Sequence, residues 1–396
     1  MLIGIDASRA ALARRTGTEN YSLQVIRHLI GLSSGHRFRL YFNQTPPPGL
    51  FPDDPQVELR PIPFPRLWTH LRLAAEMAVH PPDCLFIPAH VLPLIHPRRS
   101  IVTVHDLGYL HFPEAHRPFD RWYLDWSTRY NARVAAAILA DSQATRDDLL
   151  RYYNIDPAKI TIVYPGLDPA YTTLHPAFGH SLALPPQSWE GSRGGGKVRA
   201  LHLPSPFILH VGTLQPRKNL ARLIDAYARV LQRVSGDPGL TCGELPLRNL
   251  GLVLAGRPGW QTSALYTQIE ARGLTGRVHF LDYVPASDLP VLMRAAALFV
   301  MPSLYEGFGL PVLEAMACGT PVVCSKTSSL PEVAGDAALL VDPLDTDALA
   351  DAIIRTLTDD ALRQELRARG LARARQFSWV NAAQQILHII EATGHA

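Results

Sequence analysis

Glu306 and Glu314 stand eight positions apart across the run Gly307-Phe308-Gly309-Leu310-Pro-Val-Leu. Each carboxylate can accept hydrogen bonds from hydroxyls. Glycines between them let a backbone approach a ligand with no side chain in the way. The N–H groups at a helix start bind phosphate. Two hydroxyl acceptors flanking such a helix start suit a nucleotide that carries a sugar. The competing reading is an ordinary strand–loop–helix with a solvated Glu306, and Gly-x-Gly alone favours it.

Two further segments carry candidate chemistry. Val211-Gly212-Thr-Leu-Gln-Pro-Arg217-Lys218-Asn219 closes a strand and opens a helix. Cations are disfavoured at a helix N-terminus, so two in succession point to an anion that they neutralise, the alternative being two solvated cations. Thr103-Val-His105-Asp106 ends another strand. Loops beyond the carboxyl ends of parallel strands face the ligand crevice. A buried histidine with Asp106 capping the turn competes with that reading.

Other motifs do not hold. Gly191-Ser-Arg-Gly-Gly-Gly-Lys197 has phosphate-loop spacing, but Val198 stands where Ser or Thr should bind magnesium and no strand precedes it. Gly307-Phe-Gly309 has Val312 at the third glycine of a dinucleotide fingerprint. Asp345-Thr-Asp347 precedes the apolar run Ala348–Leu357, so an N-cap and a first-turn carboxylate explain it without a metal. No His/Cys cluster has zinc spacing.

The elements that position these residues alternate along the chain. Leu2–Ile5, Arg37–Phe42, Cys84–Ile87, Ile101–Val104, Ala137–Ala140 and Ile160–Val163 read as strands, with helices at Tyr21–Leu32, Arg117–Arg133 and Ala144–Tyr153. A second alternation starts at Phe207–Val211. It continues through Leu252–Ala255, Val278–Leu281, Leu298–Met301, Pro321–Cys324 and Ala338–Val341. Leu310–Cys318 reads as a helix that Gly319 stops. Alternation of this kind predicts an α/β chain of two Rossmann-like, doubly wound domains. Between them, Pro185–Lys197 has the composition of a flexible, dispensable linker.

The chain has 396 residues, enough for two domains of ordinary size, and 47% of them are hydrophobic. Lys+Arg 38 against Asp+Glu 35 gives +3, which argues against a dedicated nucleic-acid binder. The four cysteines (Cys84, Cys242, Cys318 and Cys324) are scattered and read as reduced thiols of a cytoplasmic protein. No signal peptide is expected, and no apolar stretch reaches the ~18 residues of a membrane span. Any membrane contact is therefore expected to be peripheral, at the inner face. Arg363, Arg367, Arg369, Arg373 and Arg375 read as a solvated basic face, with attraction to anionic lipid as the minor alternative.

Glu306 to Glu314 resembles the E-x7-E motif of retaining glycosyltransferases of family 4, which have the two-domain GT-B fold. The resemblance implies two domains facing a central cleft, with a C-terminal helix crossing back to the first. The corresponding bounds are an acceptor domain at 1–170, a linker or insertion at 171–206, a nucleotide-sugar domain at 207–375 and the crossover helix at 376–396. By the same resemblance Lys218 meets the donor diphosphate. Thr213 stands where the family often has an arginine, which leaves Arg217 as its substitute. Glu314 takes the nucleotide ribose and Glu306 a hydroxyl of the sugar. Gly212, Gly256, Gly307, Phe308, Gly309 and Leu310 bring backbone to the donor, and Tyr283 and Val284 hold the base. His105 reaches the transferred sugar, so His105, Glu306 and Lys218 are the expected catalytic set. Gly17, Thr18 and Asn20, with Asp106, form the expected acceptor and sugar loop, although Glu19 and Asn20 follow Thr18 where a second glycine is usual. Tyr164-Pro-Gly166-Leu-Asp168, Glu332 and the closing Phe377-Ser-Trp379 resemble other family segments.

The expected activity is metal-independent, cofactor-free transfer from a nucleotide-diphosphate sugar to a glycan or lipid-linked acceptor in surface glycan or glycolipid synthesis. GDP-mannose is the first choice of donor, before UDP-sugars and dTDP-rhamnose. The alternatives are a sugar-nucleotide epimerase of related fold and a catalytically silent sugar-nucleotide-binding protein.

Overall fold

The structure is a computed structural model, and it describes residues 1–393 except 13–14, 33, 90, 173–202 and 260–261. Pro185–Lys197 lies outside the described residues. The chain forms two compact units, Met1–Gly166 with Phe377–Ala396, and Leu167–Gln376.

The first unit is built on a parallel sheet. Its strands are β1 (Leu2–Asp6), β2 (Arg37–Phe42), β3 (Val57–Pro61), β4 (Cys84–Ile87), β5 (Ser100–Val104), β6 (Ala137–Ala140) and β7 (Ile160–Ile162), in the order β3-β2-β1-β4-β5-β6-β7. The central strands β4, β5 and β6 are buried at every position. Burial on both faces is why they read as largely apolar runs, with only Ser100 and Thr103 of β5 polar. The edge strand β3 was not expected: Val-Glu-Leu-Arg-Pro is largely exposed and carries no apolar run.

The helix Gly17–Gly31 begins with a capping box. The Thr16 N–H donates to Glu19 Oε2 at 3.0 Å, satisfying a group that the helix leaves unpaired. Its apolar stripe, including Leu23, Ile26 and Leu29, enters the core with Trp379, Ala383, Ile386 and Ile390 of the last helix, Trp379–Ala392. The C-terminal helix therefore does return to the first unit, as the resemblance implies.

Among the described residues, the second unit has six parallel strands and a small hairpin. In chain order they are β8 (Phe207–Val211), the hairpin β9 (Thr241–Cys242) and β10 (Leu245–Pro246), β11 (Gly251–Ala255), β12 (Val278–Leu281), β13 (Leu298–Met301), β14 (Val322–Ser325) and β15 (Leu339–Val341). The sheet order is β12-β11-β8-β13-β14-β15. Leu223, Ile224, Tyr227 and Val230 on the helix Leu220–Gly236 share one core with Leu349, Ile353 and Leu357 on Thr346–Thr358. Asp345 caps that second helix, accepting from the Ala348 N–H at 2.9 Å. Both sheets have a point where the strand order reverses, between β1 and β4 and between β8 and β13. Ligands of open α/β sheets bind beyond the carboxyl ends of the strands at such points.

All four cysteines are free thiols. Among the described residues, no helix is long and apolar enough to cross a membrane. Most of the late arginines are engaged within the second unit. Arg363 pairs with Asp360 at 2.5 Å, Arg369 pairs with Glu365, and Arg373 donates to the carbonyls of Val333 at 3.0 Å and Glu332 at 2.6 Å.

Candidate active site

In the second unit, the loops after β8 and β13 open at the reversal point and meet there. The Leu304 N–H donates to the Arg217 carbonyl at 2.8 Å. Asn219 adds bonds to the carbonyls of Pro302 at 3.1 Å and Pro343 at 2.6 Å. This stitching brings together residues 88 positions apart. Lys218 Nζ lies 2.5 Å from Glu306 Oε1, and Arg217 Nη1 lies 3.2 Å from Glu306 Oε2. Lys218 is 7% exposed and Glu306 6%, so solvent hardly screens the pair. Burial opposes ionisation of Glu306, yet the Lys218 and Arg217 charges outweigh it and hold the carboxyl at about 2. The anion that the two cations require is, in this state, Glu306 itself.

The backbone around Glu306 is pinned. Its N–H donates to Ser328 Oγ at 2.9 Å, and Ser329 Oγ donates to the carbonyls of Glu306 at 2.9 Å and Phe308 at 2.8 Å. Gly309 then turns the chain at φ +105 into the helix Leu310–Ala317. A Cβ there would be strained by that angle and would lie 2.7 Å from Leu330. Pro311 falls inside the first turn, where its missing N–H costs nothing.

Gly212 and Gly256 also come together. Gly212 donates to the Ala255 carbonyl at 2.9 Å, and a Cβ on Gly256 would sit 1.9 Å from the Gly212 oxygen. After Gly256, the Arg257 guanidinium lies 5.1 Å from the Tyr283 ring centre. Arg257 Nε and Nη2 are buried without a hydrogen-bond partner among the described residues. Val284 follows Tyr283, and both are half-buried. Beneath the glycines, His210 is fully buried and donates Nδ1–H to the Val300 carbonyl at 3.0 Å. Burial and the Lys218 charge push it down to about 4, so it is neutral.

Glu314 has different neighbours. Burial and the Asp168 charge push its carboxyl up to about 7, against a lowering hydrogen bond from the Tyr171 hydroxyl. The two motif glutamates thus differ in state, one fixed as a carboxylate and the other poised to titrate near neutrality.

In the first unit, β5 lies between β4 and β6. His105, just past β5, therefore meets groups that end both neighbours. Its Nδ1 lies 2.6 Å from Asp141 Oδ2, after β6, and its Nε2 lies 2.9 Å from the Pro88 carbonyl, after β4. Burial disfavours the charged ring, but Asp141 prevails and raises its pKa. An oxygen faces each ring nitrogen, an arrangement that favours the doubly protonated ring, which donates at both. The Tyr21 ring stands edge-on to it at 4.7 Å, which ties His105 to the helix that Gly17 opens. Thr18 and Asn20 lie in the first turn of that helix. Asp106 caps its own turn, accepting from the Gly108 N–H at 2.9 Å.

Asp141, Tyr171, His210 and the serines at 328 and 329 were not among the expected site residues, whereas Gly256-Arg257 was read as an approach to the nucleotide. Asp141 had the same signal as His105, a polar residue just past an apolar strand. The others gave no local sign.

Comparison with known proteins completes the description. Residues 197–373 match the family model for glycosyl transferases group 1, and residues 15–171 that for Glycosyltransferase Family 4. An O-antigen chain mannosyltransferase B of Escherichia coli is 38% identical over 292 residues, covering 73% of this chain and 69% of that one. A D-inositol 3-phosphate glycosyltransferase of Corynebacterium glutamicum is 31% identical over 304 residues, 74% of this chain and 65% of that protein, just under two thirds of its length. Sucrose-phosphate synthase from Thermosynechococcus elongatus superposes with a TM-score of 0.73 over 99% of this chain and 98% of that one, at 22% identity.

Proposed function

The chain belongs to glycosyltransferase family 4, and from that premise we propose that it is a retaining, metal-independent mannosyltransferase using GDP-mannose. Its acceptor is a hydroxyl of a glycan or lipid-linked glycan, in surface polysaccharide or glycolipid synthesis. The observation that carries this reading is the Lys218–Glu306–Arg217 cluster, built on a buried Lys218–Glu306 pair, at the reversal point of the second sheet. The similarity to a mannosyltransferase supports the choice of sugar.

In this reading Lys218, Arg217 and the helix start at Leu310 neutralise the diphosphate. The bond from the sugar's anomeric carbon to the β-phosphate oxygen breaks, and fixed positive charge stabilises the oxygen that leaves. The acceptor oxygen bonds to the same face of that carbon, and the departing phosphate takes the acceptor proton. Glu306 then holds a sugar hydroxyl. Glu314 accepts from the ribose, Gly212 and Gly256 admit the nucleotide backbone, and Tyr283 and Val284 take the base. The first unit serves the acceptor side through the Gly17–Asn20 turn, His105 and Asp106. In this reading the protein works in the cytoplasm, with peripheral contact at the inner membrane face.

Thermal-shift measurements with GDP, UDP and dTDP test the donor, because a ligand that binds the native state raises its stability. GDP should give the largest shift. A larger shift with UDP or dTDP would overturn the choice of nucleotide. Turnover of GDP-mannose should be unchanged by EDTA, and loss of turnover restored by manganese or magnesium would overturn metal independence.

A further inference from the structure

The helix Pro118–Val134 carries Phe119, Trp122, Tyr123, Trp126 and Tyr130 at spacings that place them along one face. Their rings form a continuous ladder. Phe119 and Trp122 are 5.9 Å apart, Trp122 and Trp126 are 6.5 Å apart and stacked, and Trp126 and Tyr130 are 5.6 Å apart and nearly parallel at 7°. Its outer end is uncovered: Phe119 is 71% exposed and Trp122 59%.

Both flanks extend this surface. The short π-helical turn Thr69–Leu73 brings His70 Nε2 to 2.9 Å from the Tyr123 hydroxyl, and its ring to 5.5 Å from Trp126. Leu67, just before that turn, and Leu71 within it are 65% and 51% exposed. On the other flank Tyr130 donates to the Pro93 carbonyl at 3.0 Å, next to Leu94 and Ile95, which are 54% and 53% exposed. Single exposed apolar residues are ordinary, but a contiguous patch marks an interaction site.

Charge says what covers it. The flanking segments, residues 64–72 and 93–99, hold four arginines (Arg66, Arg72, Arg98 and Arg99) and no Asp or Glu, and the helix itself adds Arg121, Arg129 and Arg133 against Asp120 and Asp125, so the face is net positive. Arg66, Arg98 and Arg99 are exposed. A second copy of the chain meeting this face would set one net positive surface against another. Trp and Tyr rings favour the boundary between water and hydrocarbon, and guanidinium groups pair with phosphate. We propose that this aromatic face of the first unit docks on an anionic lipid bilayer, with the rings at headgroup depth and the arginines on lipid phosphates. The face lies in a different unit from the arginines at 363–375, most of which are engaged internally. The inference deepens the proposed action on a lipid-linked acceptor and rests on that reading for its purpose only, because its test reads lipid binding without turnover.

Co-sedimentation of the full chain with vesicles of phosphatidylglycerol and phosphatidylethanolamine, and with vesicles of phosphatidylcholine alone, tests it. The wild type should bind the anionic vesicles at least tenfold more tightly than the neutral ones. Leu71→Ser/Phe119→Ser/Trp122→Ser should weaken binding at least tenfold with an unchanged melting temperature. Brominated lipid should quench tryptophan fluorescence of the wild type, a readout independent of whether the variant folds. The proposal is overturned by absence of wild-type binding, by equal binding of a folded triple variant, or by vesicle binding without quenching. It is also overturned if the wild type self-associates through this face, as shown by dissociation in the triple variant, and binds no vesicles.

Discussion

Glu306→Gln removes one charge from a cluster of three in which Lys218 and Glu306 are buried and Arg217 is partly exposed, and the cost follows from the structure. The Glu306 carboxyl sits at about 2 against an ordinary 4.5. Each tenfold change in proton affinity is about 1.4 kcal/mol, so the cations favour the folded carboxylate by about 3 kcal/mol. Because the folded value is depressed, that stability is fully present above about 4.5 and is lost as the pH falls towards 2. Removing one partner of a buried pair typically costs about 3–5 kcal/mol, since the remaining charges stay buried. Urea unfolding of the wild type and the variant at pH 7, 5 and 3.5 reads this directly. At pH 7 the variant should be less stable by about 3 kcal/mol, and the gap should narrow below pH 4.5. The same variant frees Lys218 and Arg217 from their internal anion, so it should bind GDP more tightly while turning over donor more slowly. Equal stability at pH 7, or a gap that stays constant down to pH 3.5, would show that the ion pairs do not hold this loop.

Lys218→Ala should weaken GDP binding by about 1.5–3 kcal/mol, as expected for a charge-assisted hydrogen bond, and leave guanosine binding unchanged; equal losses in calorimetry would place Lys218 away from the phosphates. Glu314 titrates at about 7, so donor affinity should rise as the pH passes from 6 to 8 and the carboxylate becomes a better acceptor. Glu314→Gln should bind donor less tightly with no such pH dependence. The raised folded value also means that Glu314 costs stability as the pH rises from about 4.5 to 7. The variant should therefore gain in melting temperature relative to wild type above pH 7, and a relative loss would contradict the burial argument. Asp141→Asn removes the charge that raises the His105 pKa. The His105 ring should then titrate at lower pH than in the wild type by proton NMR, and an unshifted titration would assign the raised value to another cause.

Much of the fold was readable because parallel strands covered on both faces are locally distinctive. Ile-Val-Thr-Val in β5 and Ala-Ile-Leu-Ala in β6 look buried in sequence and are buried. β3 escaped because an exposed edge strand needs no apolar run. Within the site, Arg217, Lys218 and Glu306 were each recognised, but as groups with separate ligands. Their pairing spans 88 positions and arises only when β8 and β13 lie side by side. His105 was found for the same topological reason that Asp141 could have been, since both follow apolar strands. Glu314 shows the opposite limit. Its pKa near 7 comes from burial and the Asp168 charge, neither of which its own helical sequence reveals. The exposed ladder on Pro118–Val134 read only as a helix, because periodicity places aromatic residues on one face without telling whether that face is covered.

The stereochemistry of transfer decides most directly what this chain does. GDP-α-mannose and a lipid-tailed mannoside, incubated with the protein in EDTA and followed by proton NMR, report the anomeric configuration of the product and the release of GDP together. An α-linked product, with GDP released in step and only when the acceptor is present, is the predicted result. A β-linked product, acceptor-independent conversion of the donor sugar, or transfer that returns only with added metal would contradict it.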